Sequence, residues 1–392
     1  MSGEKSSWEK SSLRAAYLGI VLFGFISLMG DIVYEGSRGI LPTCLASLGA
    51  SAAVVGLVFG LGDIFSFGFR ALSGFVADRT RRYWLFVVLG YGLIAAIPLI
   101  GLAQGLWIAV ALILAERLGK ALRTPSRNTL LSIVGSRVGS GKTFGLHELL
   151  DQVGAIAGPL IVSFVMLYTN SFSTSFLVLL APYAGLAFFL AFTYRKLRDV
   201  VREVVPKRVE GAGVAKLSRS FWLYIASIFA NTAGLVHVSL ILFKSSMYFD
   251  WWIVPLMYLA IQAVDAAAAP ISGYFYDKVG GKLLLLPFAL SAVPSILVLT
   301  GGREALIASL AFFGVVLGMR ESIYKATVTD IAPLPKRGLA YGILDTAYGL
   351  GFMASGGVFG LFMSWGASAL GVAFTVAVEL VAIALLLASL RK

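Results

Sequence analysis

"SGFVADRTRR", residues 73–82, decides the fold because it occurs twice. "SGYFYDKVGG" begins at Ser272, 199 positions further on, with the same order of Ser-Gly, three residues, an acid and a base. Asp78-Arg79 stands opposite Asp277-Lys278. A second echo, 197 positions apart, sets "FGLHELLDQVG" from Phe144 beside "YGILDTAYGLG" from Tyr341. It places Glu148 opposite Asp345 and Gly154 opposite Gly351. Two echoes in one order mean an internal duplication.

The residues around the repeat say what was duplicated. The chain of 392 residues is 58% hydrophobic and only 13% charged, where soluble domains carry about a quarter charged residues. Apolar runs of about 20 residues recur, each long enough to cross a bilayer as a helix. The period-2 alternation of a membrane β-barrel is absent. We read twelve spans, at 15–47, 52–76, 83–103, 106–125, 143–168, 172–194, 221–248, 251–275, 283–300, 305–327, 340–365 and 368–390. Lys and Arg crowd the N-tail, the even-to-odd connections and the C-terminus, while the odd-to-even connections hold Arg303 alone. Positive residues stay on the cytoplasmic side, so both termini are expected there. The same bias accounts for the net charge of +12 without nucleic acid. The expected domains are a six-helix bundle at 1–194, a basic cytoplasmic linker at 195–220 and a second six-helix bundle at 221–392.

Twelve spans arranged as six and six, with Gly74, Asp78, Arg79, Arg81 and Arg82 after span 2, resemble the major facilitator superfamily of secondary transporters. The motif departs from the family pattern at Thr80-Arg81, where Gly often precedes the basic pair. Its second copy, from Gly273 through Asp277 to Lys282, is degenerate. "ERLGKALRTPSRNTLL" and "FGLHELLDQVGAIAGP" resemble a broad group of prokaryotic members. The resemblance implies an all-α polytopic membrane protein of two pseudo-symmetric six-helix bundles, a monomer, in a prokaryotic plasma membrane. It implies that Gly74, Asp78, Arg79, Arg82, Gly273 and Asp277 form a conformational switch. It also implies that spans 1, 4, 7 and 10 line a central cavity and that spans 3, 6, 9 and 12 face lipid. Ionisable residues are expensive in lipid. Spans 3, 6 and 9 contain none, and span 12 contains only Glu379.

The charges within the spans mark the candidate sites. Asp31, Glu35 and Arg38 follow i, i+4, i+7 spacing and share one helical face near mid-membrane. Span 4 repeats that spacing with Glu116, Lys120 and Arg123, and Arg117 lies on an adjacent face. Three readings stay open for the span-1 stripe: a proton carrier, a binding site for charged substrate, or a structural ion-pair network. In span 5, His147, Glu148 and Asp151 form a candidate proton relay or inner gate, since His titrates near neutral pH. Gly154, Gly158 and Pro159 follow, with small residues spaced for close helix packing; by resemblance this pattern hints at an antiporter. The proton-coupling candidates are therefore Asp31, Glu35, His147, Glu148 and Asp151. The substrate-cavity candidates are Asp31, Tyr34, Glu35, Arg38, Asp63, Glu116, Arg117, Lys120, Asp265, Arg320 and Glu321. His237 reads as a helix contact, and Lys244 as a residue reaching for the membrane surface.

Other chemistries find little support. "SRVGSGKT", 136–143, lacks the first Gly of a phosphate-binding loop and a preceding strand. One cysteine and two histidines offer no zinc cluster, and no catalytic triad or cofactor motif stands out. The expected function is proton-coupled efflux of an amphipathic small molecule by alternating access, with protons and membrane lipids as the other partners. Import or exchange of an organic anion is the alternative, and a lipid flippase or a non-transporting sensor is the alternative of another class.

Overall fold

A computed structural model describes residues 2–204, 217–333 and 337–390. Residues 205–216 of the basic linker expected at 195–220 lie outside the described residues, as do several of the loop cations used for orientation. Among the described residues the secondary structure is helical throughout, without strands. Lipid offers no partners for backbone N–H and C=O groups, so each spanning segment must satisfy its own.

The twelve spans are α1 (Ser2–Arg38), α2 (Ala52–Thr80), α3 (Tyr83–Leu102), α4 (Leu106–Val134), α5 (Ser140–Thr169), α6 (Phe172–Arg198), α7 (Arg219–Ser245), α8 (Ile253–Val279), α9 (Leu285–Thr300), α10 (Arg303–Ile331), α11 (Arg337–Ser364) and α12 (Ser368–Leu390). A short helix, Leu41–Ser47, follows α1. Among the described residues, ten stretches are long and apolar enough to cross a membrane, and one of these, Ile253–Thr300, is 48 residues and holds both α8 and α9. The twelfth helix, α4, has the length of a span, 29 residues, but carries more charge than an apolar span.

The helices stop where the sequence supplies caps. Ser51, Ser171 and Ser218 each accept a backbone N–H at the start of α2, α6 and α7. Asn170 takes a left-handed conformation to end α5. The tight α2–α3 turn places Arg81 at φ 56°. Its repeat partner, Gly280, also has a positive φ, 70°. Side chains disfavour that region and glycine does not, which is why glycine suits this position.

By packing, the chain forms two compact units. One comprises 2–38, 69–104 and 111–204; the other comprises 39–68, 105–110 and 217–390. The halves defined by the repeat divide the chain by sequence, and these units divide it by contact. Glycines explain the difference within the second unit. Gly56 and Gly356 lie backbone to backbone, and Gly60 meets Met353 just as closely. The first part of α2 therefore packs on α11 with no side chain between them. In the first unit Gly158 meets Gly36 in the same manner. Burial differs widely between helices, and α3 at 44% exceeds α5 at 39%, against the expectation that α3 faces lipid. The apolar stretch of α7 is 83% buried, whereas those of α6 and α12 are 28% buried.

Candidate functional site

In the first unit, charged side chains of α1, α4 and α5 form two adjoining groups. The first surrounds Tyr34, which is 2% exposed. Lys120 Nζ lies 3.9 Å from the ring centroid, and the guanidinium carbons of Arg117 and Arg38 lie at 5.2 and 5.6 Å. Arg117 also donates to the Tyr34 hydroxyl. Cations are drawn to the negative ring face, more so when dehydrated. Ion pairs run along each helix: Glu35 with Arg38 at 4.0 Å, and Glu116 with Arg123 at 3.3 Å and Arg117 at 4.0 Å. The sequence suggested two complementary stripes facing each other, and the structure adds Tyr34 as the residue through which α1 meets the cations of α4.

The second group centres on Ser27. Its hydroxyl accepts from Arg127 Nη1 at 3.0 Å, lies 2.9 Å from His147 Nε2 and lies 3.1 Å from Tyr91 OH. Asp151 Oδ2 stands 3.5 Å from His147 Nδ1 and 3.8 Å from Arg127. A consistent assignment has His147 Nδ1–H directed at Asp151, with Nε2 accepting from Ser27. The groups then form one line, Asp151–His147–Ser27–Arg127, across α5, α1 and α4, with His147 and Ser27 buried and Asp151 and Arg127 half-buried. Asp31 faces this line and is influenced by Asp151, Glu35, Lys120 and Arg127. Among the described residues Asp31 has no ion pair, and Asp151 Oδ1 has no hydrogen-bond partner. Glu148 is exposed and accepts from Gln152 at 3.2 Å, and its charge acts on neighbouring Asp151.

Gly154 and Gly158 make this assembly possible. Gly154 sits against the Leu28 carbonyl and Gly158 against that of Ile32, so α5 lies directly on the α1 backbone. Pro159 is buried beside them. Their repeat counterpart Gly351 packs likewise on Thr232 and Phe229 of α7.

The second unit holds a group that the sequence did not reveal. Asp63 Oδ2 lies 2.9 Å from His237 Nε2, both side chains buried. His237 starts the second half of α7, which is broken between Gly234 and Val238. Its Nδ1 accepts the Ser239 backbone N–H at 3.1 Å and lies 2.7 Å from the Ser239 hydroxyl, and a consistent assignment has Nε2–H donating to Asp63. Phe59 and Phe352 flank the imidazole. Ser295 and Ser355 take the freed backbone groups at the break.

Arg320 opens a π-helical turn, Arg320–Tyr324. Such turns are frequent at functional sites. Arg320 lies inward, 9% exposed, over Tyr348 and Phe352 at 5.0 and 4.7 Å. Glu321 points out, reaches Arg320 at 3.5 Å and is held by Lys325 at 2.5 Å. Arg320 Nε and the Tyr348 hydroxyl have no partner among the described residues. Asp265 is half-buried on α8, where its carbonyl faces Gly318.

Among the switch candidates, Asp78 accepts from Tyr83 at 2.9 Å, and Gly74 lies against Pro125 of α4. Gly273 lies against Ser322, and Arg79, Arg82 and Asp277 are exposed. Lys244 donates to the carbonyls of Val298 and Gly301, covering the end of α9.

Comparison with known proteins then places the chain. The Major Facilitator Superfamily matches it over residues 20–302. An uncharacterized protein of Mycobacterium tuberculosis is 37% identical, with 90% of this chain and 87% of that protein aligned. An uncharacterized MFS-type transporter of Methanocaldococcus jannaschii is 27% identical over 84% and 85%. Among solved structures, the nucleoside transporter NupG superposes with a TM-score of 0.73 at 16% identity, covering 95% of this chain and 99% of that one. A bacterial homolog of the human lysosomal transporter Spinster gives 0.68 at 15% identity, covering 96% and 97%. At such identities the structural likeness concerns the fold.

Proposed function

Since this chain belongs to the Major Facilitator Superfamily and is a multi-pass secondary transporter, we propose that it exchanges protons for an amphipathic small molecule, working outward by alternating access. The observation that carries this reading is the partly buried line Asp151–His147–Ser27–Arg127, with half-buried Asp31 beside it. An acid in a dehydrated span must be paired, wetted or protonated. Asp31 has no ion pair among the described residues, and one oxygen of Asp151 is unpartnered. These acids suit a role in which a proton and a cationic substrate group compete. The serine and the imidazole are hydrogen-bonded to each other, and the imidazole stands 3.5 Å from Asp151. Gly154 and Gly158, which hold α5 on α1, fit the antiporter resemblance.

A second reading, transport of an organic anion, is favoured by Arg320. Its guanidinium lies between two rings, and its one acidic neighbour is shared with Lys325. Together with the Tyr348 hydroxyl it presents donors suited to a carboxylate.

One experiment separates the readings. Proteoliposomes containing a pH-sensitive dye receive tetraphenylphosphonium or 1-naphthoate under an imposed pH gradient. The first reading predicts cation-triggered proton flux that Asp31→Asn or Asp151→Asn abolishes and Glu148→Gln retains. Flux triggered only by naphthoate and lost in Arg320→Gln would replace the first reading with the second.

A further inference from the structure

Glu379 belongs to neither group described above. It lies in the middle of α12, whose apolar stretch is the least buried in its unit, yet its own side chain is only 4% exposed. It faces α7 at the point where that helix breaks. Oε2 accepts from Asn231 Nδ2 at 2.9 Å. Asn231 is fixed in turn, because its oxygen accepts from Tyr324 OH at 3.0 Å and its amide also reaches Ser291 at 2.7 Å. Oε1 presses against Gly234, the last residue of the first half of α7, and has no hydrogen-bond partner among the described residues.

The surroundings disfavour an ionised Glu379. From α7 it meets Asn231 and Gly234, from α9 Ser291, and from α10 Tyr324, while α11 meets α12 through Phe359, Phe362 and Phe374. None of these is a cation, and among the described residues no ion pair reaches Glu379. The end of the half-helix 219–234 adds to the difficulty, because a helix C-terminus carries partial negative charge. A carboxylate there would be buried without a counter-charge and beside a like one, a costly arrangement. A carboxylic acid avoids both penalties. A metal ion is a poorer fit, since Gly234 crowds the free oxygen where further ligands would have to gather.

We propose that Glu379 is a second proton-binding site, whose bound proton holds α12 against the break in α7 and whose release loosens that junction. The proton sits on Oε1, leaving Oε2 as the carbonyl oxygen that accepts from Asn231. The proposal adds a site to the proton-coupled reading and rests on it for its purpose, but the chemistry can be measured without substrate or gradient.

The test is infrared spectroscopy of the purified protein in lipid nanodiscs across a pH series. The carboxylic-acid C=O band is separated from lipid esters by its downshift in D2O. Wild type is expected to show a component that fades as pH rises and that is missing from Glu379→Gln. The Gln variant copies the neutral acid and should melt at the wild-type temperature, whereas Glu379→Ala should melt lower. No Glu379-dependent acid band would overturn the proposal, as would a band that persists unchanged at every pH. So would unfolding of the Gln variant, which would mean that the carboxylate charge is needed. Loss of this band with proton flux still dependent on Asp31 and Asp151 would reject Glu379 alone. Its presence without any such flux would reject the coupling reading alone.

Discussion

Asp63 and His237 form a buried polar contact in the second unit, and Ser239 shapes its chemistry through its backbone N–H and hydroxyl. With the Ser239 N–H on His237 Nδ1, the imidazole offers Nε2–H to Asp63. Removing either partner strands the other in a buried place. Asp63→Ala or His237→Ala is expected to cost about 2 kcal/mol, and the double variant less than the sum of the two. Thermal melts of the four proteins in one detergent measure this; strictly additive losses would contradict the pairing. In the sequence, Asp31, Glu35 and Arg38 are legible as one face because helical spacing links them. The bonds Asp63–His237 and Ser27–His147 join residues 174 and 120 positions apart, and no local pattern encodes them. Tyr34 was legible as a cavity candidate, but its role as the ring that three cations share depends on how α1 and α4 are packed.

At the scale of elements, the twelve spans follow from apolar length, and their ends from serine and asparagine caps. The breaks inside them do not. The apolar run through α7 is continuous in sequence, and the helix opens there because Ser295 and Ser355 can take the Val236 N–H and the Leu235 carbonyl. Those serines lie on α9 and α11, so the signal is tertiary. The turn after α2 is different, since the repeat itself exposes it. Arg81 occupies a left-handed conformation where its counterpart is Gly280. An L side chain loses about 1 kcal/mol in that region. Arg81→Gly is therefore expected to raise stability by about that amount, and Gly280→Ala to lower it by at least as much. Chemical denaturation in mixed micelles measures both; a destabilised Arg81→Gly protein would contradict the turn geometry.

For the whole molecule, the duplication set positions of the two halves opposite each other, Gly154 opposite Gly351 among them. The structure shows those two glycines meeting α1 and α7 respectively, partners that the repeat does not name. The repeat did not reveal that residues 39–68 pack with the second unit, which depends on Gly56 and Gly60 meeting Gly356 and Met353. Glycines are common along this chain, 43 in all, and sequence alone does not pair them. In the proposed function, protons and substrate compete for the half-buried acids Asp31 and Asp151. Proton release in weakly buffered micelles, when tetraphenylphosphonium binds the purified protein, tests this competition. Wild type is expected to release protons, and the Asp31→Asn/Asp151→Asn double variant is expected to release none. Binding without proton release, or release that persists in the double variant, would contradict it.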